Sequence, residues 1–131
     1  MKKKKEPSKK YLREKADKLA RLCALKKNGE VCEYCGKTEN IQVHHFIPRS
    51  DSAYLRYNLK NLVCLCSYCH IIKLHRKADP DIVPYIIKSR GQDWYDNLKA
   101  LKKKGLEAKS ITTVKYYQEV IMALEEYLKR Y

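Results

Sequence analysis

The sequence predicts an α+β chain in which a small cysteine-stapled core is flanked by helices on both sides. Three observations carry that expectation. Two Cys-x-x-Cys pairs bracket the segment from 31 to 76, the same segment holds the run richest in β-branched residues, and the residues on either side repeat apolar positions at steps of three and four.

At 131 residues the chain is about one ordinary domain. Residues 1–30 form a basic arm and helix, with twelve Lys or Arg against four Asp or Glu. Lys2 to Lys5 read as disordered. Ser8 then offers an N-cap, Leu12, Ala16, Leu19 and Cys23 share one helical face, and Gly29 supplies the stop. Residues 31–78 hold all four histidines and five of the six cysteines, so the chemistry is expected there. Residues 79–131 read as helical again. One helix starts at Asp79-Pro80-Asp81 and ends near Gly91, a second runs from about Asp93 to Lys104 and is stopped by Gly105, and a third opens at Ser110 or Thr112 and reaches Tyr131.

Cys32-Glu-Tyr-Cys35 and Cys66-Ser-Tyr-Cys69 are two knuckles, each presenting two thiolates on one side of a tight bend. Two such turns complete a tetrahedral Zn(II) site, and Gly36 suits the backbone conformation a knuckle needs. A four-cysteine site has no open position for water, so this zinc is structural and any catalysis lies elsewhere. Cys23 and Cys64 fall outside the pattern and read as small buried apolar residues. No stretch approaches a membrane span, and the charged N-terminus lacks a secretory apolar core. The expected setting is therefore reducing and cytoplasmic, where metal ligation outranks disulfides. A net charge of +14 points to a polyanionic partner.

The segment between the knuckles contains Val43-His44-His45-Phe46-Ile47-Pro48 and Asn61-Leu-Val-Cys-Leu-Cys66, and the second knuckle runs on into Cys69-His70-Ile-Ile-Lys73. Alternation around Val43 and His45 suits a short strand, and residues from about 67 to 76 suit a helix. Adjacent histidines on a strand point to opposite sides, so His44 and His45 divide two jobs.

These pieces resemble the HNH nuclease motif in its zinc-stapled form. Leu55-Arg56-Tyr57-Asn58 in register with Asn61 and Cys66, followed by Pro84-Tyr85 and Gly91, is similar to the phage recombination nucleases called NinG or Rap. The chain departs from that pattern at His44 and His70, where NinG has Gly and Asn; both positions fit the wider HNH pattern. The resemblance implies a zinc-stapled ββα-metal (HNH) core, with His45 as general base and His44 and His70 as ligands of a catalytic Mg(II) or Mn(II). It implies further that Asn61 holds the loop and orients His45. Arg49 and Arg56, close in sequence to the site, are candidate phosphate contacts. Lys73, His75 and Arg76 on the following helix, and Lys9 and Lys10 on the basic helix, are further candidates for nucleic acid.

The function so implied is metal-dependent DNA hydrolysis, on branched DNA such as a Holliday junction or D-loop, by a phage-encoded recombination nuclease. Competing readings are a non-catalytic zinc-ribbon DNA-binding module, a structural adaptor, and a non-specific or site-specific nickase. From Val114 the apolar residues Tyr117, Ile121, Leu124 and Leu128 make a short heptad seam, which is expected to form a homodimer across helix 110–131. The alternative is packing of this face on the chain's own helices at 82–104.

Overall fold

The computed structural model describes residues 6–106 and 111–131, so the expectations for Lys2 to Lys5 and for Ser110 lie outside the described residues. Helix α1 (Lys9–Asn28) begins where the Ser8 hydroxyl accepts the Tyr11 N–H, and it ends at Gly29, whose φ of +74° lets its N–H turn back to Leu25 O. Strands β1 (Ile41–His45) and β2 (Leu62–Cys66) pair antiparallel, with His44 opposite Val63 and His45 opposite Leu62. A short 3₁₀ turn (Leu59–Asn61) enters β2, capped by the Asn58 side chain, which accepts Lys60 N–H. A helix of π geometry (Tyr68–Arg76) follows, then α2 (Ile82–Arg90), α3 (Gln92–Gly105) and α4 (Val114–Arg130).

Thr113, rather than Thr112, caps α4 by accepting the Tyr116 N–H. Gly105 is not a stop either: it lies in the last turn of α3, where a Cβ would sit 2.5 Å from Tyr54 Cβ. Its use is close approach, since only a residue without a side chain lets α3 pass over Tyr54.

Strand β2 is buried along its whole length and divides two packed layers. Toward α1, Leu62 joins a cluster of Leu12, Ala16, Ala20, Cys23, Tyr117, Ile121 and Leu124, and Cys64 receives the Asn28 amide. On the other side Val63 and Leu65 pack with Cys32, Cys69, Ile82 and Ile86. Ile47, Leu55 and Leu98 close a third cluster beneath α3. Glu33 and Arg90 tie these layers: Arg90 grips Glu33 through two bonds of 2.7 and 2.8 Å, Glu33 accepts Cys64 N–H, and Arg90 donates to Leu62 O.

The apolar seam of α4 packs within the chain, which corrects its expected place at an interface between copies. Tyr117, Ile121 and Leu124 are buried against α1, and Leu128 packs on the same cluster. The alanines of α1 explain the choice, because their small side chains let the two helices approach closely enough for Cys23 Sγ to reach Leu124 O and Lys26 Nζ to reach Leu128 O. The seam is spent within the chain, on α1 and not on the helices at 82–104.

The two knuckles fold alike. Cys35 N–H points to Cys32 Sγ at 3.5 Å, and Cys69 N–H points to Cys66 Sγ at 3.4 Å. All four Sγ atoms lie within 4.8 Å of one another, with Cys35 and Cys66 at 3.6 Å. A tetrahedron with Zn–S bonds of about 2.3 Å places its sulfurs about 3.8 Å apart, so the donor set fits zinc. Burial raises the Cys32 thiol, but backbone N–H donors outweigh it and bring Cys32 to about 7.

Leu124→Ala should cost about 2–5 kcal/mol in urea denaturation, because it opens a cavity between α1 and α4. Cys35→Ser should bring bound zinc well below one equivalent by atomic absorption and lower the thermal midpoint, since metal ligation in so small a core supplies folding free energy.

Candidate metal and general-base site

Parity along β1 builds the site. Gln42 and His44 project toward the π helix, whereas Val43 and His45 project toward α1, as the register with β2 requires. On the first side His44 meets His70 and His75. The ring centroids are 5.0 Å (His44–His70), 5.6 Å (His44–His75) and 4.8 Å (His70–His75) apart, and their ligand nitrogens lie within 4.8 Å of one another.

The π geometry explains why His75 takes part. In an α-helix, residues five apart diverge around the axis, while i→i+5 bonding stacks them. Here Lys77 N–H reaches back to Ile72 O at 2.9 Å, and His70 and His75 fall on one face. Sequence spacing read with α-helical geometry left His75 only a nucleic-acid candidate. A five-residue His spacing just after a Cys knuckle was the available signal.

Gln42 was also missed. Its Oε1 lies 2.8 Å from His70 Nδ1. An amide oxygen only accepts, so Nδ1 carries the proton and Nε2 of His70 is left as the ligand atom. Burial and the neighbouring imidazoles push His44 down to about 4, and burial followed by His75 lowers His70. Both are neutral near pH 7, which is the form that binds a metal.

On the opposite side His45 Nε2 lies 2.9 Å from the Arg56 carbonyl. A carbonyl cannot donate, so Nε2 bears the proton and Nδ1 keeps its lone pair. Burial lowers His45 from its ordinary value, against the opposing effect of the Arg56 carbonyl, and so favours the unprotonated ring. His45 opens onto a cleft of about 230 Å³, lined also by Arg21, Arg49, Arg56 and Asp17.

Asn61 is fully buried and holds the connection between the strands at both ends. Its Oδ1 accepts Ile47 N–H at 2.8 Å, while its Nδ2 donates to Ile47 O at 3.0 Å and Leu55 O at 3.3 Å. Residues 47 to 56, which carry Arg49 and end at the His45 partner, are thus fastened to the start of β2.

The remaining candidate contacts scatter. Arg49 stands half-exposed beside the cleft, 4.0 Å from Asp17, and Arg56 is paired to Asp17 in two bonds. Lys73 lies over the rings of Tyr34 and Tyr68 at 5.2 and 5.7 Å, beside the zinc knuckles and not among the histidines. Arg76 ends the π helix, and Lys9 and Lys10 open α1, all three exposed.

No curated protein and no solved structure matches the chain. The segment that contains both knuckles, the two strands and all four histidines does match a family model. Residues 32–76 match the family model described as HNH endonuclease.

Proposed function

We propose that the chain is a metal-dependent DNA endonuclease, with His45 as general base and His44, His70 and His75 as ligands of one divalent ion. The observation that carries this reading is the division of β1: three imidazoles converge on one side, and a single neutral imidazole faces an arginine-lined cleft on the other.

Phosphodiester hydrolysis needs a base for the attacking water and positive charge on the oxygens of the phosphate. His45 Nδ1 takes the proton from water, and the Arg56 carbonyl bonded to Nε2 stabilises the imidazolium that results. Arg21 and Arg49 meet the phosphate from the same cleft. Asn61 holds the connection that sets the position of Arg56. An ion bound by His44, His70 and His75 would supply Lewis-acid charge from the other side of β1. Three neutral imidazoles suit a borderline ion such as Zn(II), Ni(II) or Co(II) better than Mg(II), which prefers oxygen ligands.

The resemblance to NinG and Rap makes branched DNA the substrate to try first. With the α4 seam spent on α1, paired cuts by a dimer have lost their support, and one site acts on one strand at a time. The expected product is a nick.

In a plasmid-nicking assay with added divalent ions, His45→Ala should lose about 10²–10⁴ in rate while DNA binding is nearly unchanged. His44→Ala, His70→Ala and His75→Ala should each raise the ion concentration needed for half-maximal cleavage. A four-way junction and a D-loop run beside linear duplex test the substrate preference. Wild-type protein that binds DNA but never nicks it would favour a non-catalytic DNA-binding module.

A further inference from the structure

Helix α1 lies outside the segment matched to the HNH domain, yet it reaches the general base. Asp17, halfway along it, accepts Nε of Arg56 at 2.9 Å and Nη2 of Arg56 at 2.6 Å. The carbonyl of that same Arg56 accepts Nε2 of His45 at 2.9 Å. We propose that Asp17 is a positioning residue of the catalytic cleft, which fixes His45 by holding Arg56 from its side-chain end. The inference rests on the nuclease reading for its consequence in catalysis, but not for its geometry.

Arg56 is held from its backbone and from its side chain by different partners. Leu55 is fully buried, Tyr57 nearly so, and Asn61 bonds Leu55 O, so the backbone on either side is anchored by packing. Arg56 N–H donates to Ala53 O at 3.3 Å, and the two bonds to Asp17 restrain the same residue from its side-chain end. A single-pronged contact would leave the guanidinium swinging; two parallel bonds to one carboxylate fix both its distance and its plane. The Arg56 guanidinium also lies 5.5 Å from the Tyr57 ring centroid, which limits it from a second direction.

The pairing assigns the arginines of the cleft to different tasks. Arg56, about three-quarters buried and neutralised by Asp17, is a structural strut. Arg49 is more exposed and only 4.0 Å from Asp17 at its nearest approach, so it remains able to turn to a phosphate, as does Arg21. Asp17 itself is not a metal ligand, because the three-imidazole cluster lies on the other face of β1.

A purely electrostatic role predicts the opposite sign. If Asp17 did nothing but repel a phosphate in the cleft, Asp17→Asn would tighten DNA binding and speed cleavage. Under the positioning role, Asp17→Asn in the full chain should lower kcat about ten- to a hundredfold with KM unchanged, the scale expected when a reacting group is misplaced by a fraction of an ångström to an ångström. Asp17→Glu should recover most of the loss. Asp17→Asn/Arg56→Gln should be no slower than Arg56→Gln alone, because both changes break one link. A second readout needs no cleavage: imidazole ¹⁵N NMR should show His45 protonated at Nε2 in wild type and a mixture of tautomers in Asp17→Asn. If Asp17→Asn does not fold, Arg56→Lys, which keeps the charge and loses the two-pronged fork, takes the same measurements. Unchanged kcat and tautomer, or faster cleavage, would overturn the proposal. An inactive wild-type protein would instead sink the nuclease reading, and the NMR comparison would still decide the role of Asp17.

Discussion

The register between β1 and β2 is the constraint on which the rest of the site depends. Because β2 is buried on both faces, with Leu62 packed toward α1 and Val63 toward the knuckles, it cannot slide against its surroundings. Pairing His45 with Leu62 and His44 with Val63 therefore assigns each histidine to a side. A slip of one residue would exchange them, placing His45 beside His70 and His75 and His44 in the arginine cleft. Asn61 stands where the register is set. It enters β2 directly, its backbone carbonyl accepts Phe46 N–H, and its side chain spans the connection from Ile47 to Leu55. A fully buried amide with three partners costs little when satisfied, whereas each partner left bare costs on the order of 1–3 kcal/mol.

Much of this was legible from residue types at fixed spacing. The paired knuckles, the Ser8 and Gly29 caps, the short strand around Val43 and His45, and the opposition of His44 and His45 follow from local rules that act over a few residues. The readings that failed were about partners at long range. The repeat in α4 fits a coiled-coil seam and an intramolecular helix pair equally well. What decided between them was the run of alanines in α1, about a hundred residues away, whose meaning as a contact surface depends on the fold. His75 was hidden for a different reason: its alignment with His70 needs a helix wound in π geometry, which sequence periodicity read at the α-helical repeat does not anticipate. Gln42, Asp17 and the Glu33–Arg90 pair carry residue types so ordinary that only their neighbours reveal them.

The two metal-competent clusters are separated by chemistry as well as by place. The knuckles offer four soft thiolates and saturate a tetrahedral ion, so nothing else can reach it. The histidine cluster offers three neutral donors, which leaves a bound ion with its full positive charge and with room for further ligands. An ion held by the knuckles would have its charge cancelled by thiolate ligands, while one held by the histidines would keep its charge available for a phosphate. Both clusters draw on the short stretch from Cys66 to His75, so the second knuckle orients the π helix and the helix in turn aims His70 and His75 at β1.

That arrangement makes the helical flanks more than packing. A core of about forty-five residues around a zinc site has little apolar surface to bury, and its cleft would be open on the His45 side. Helix α1 closes that side with Ala20, Asp17 and Arg21, and α4 holds α1 in place through Tyr117, Ile121 and Leu124. The chain of support therefore runs from the C-terminal helix, through α1 and the Asp17–Arg56 pair, to the nitrogen that must carry a proton if its partner across the ring is to accept one. Stability and chemistry share these contacts. Loosening α4 would reach His45 before it reached His44, His70 and His75, because those three are held by β1 and the knuckle-anchored π helix on the far side of the sheet.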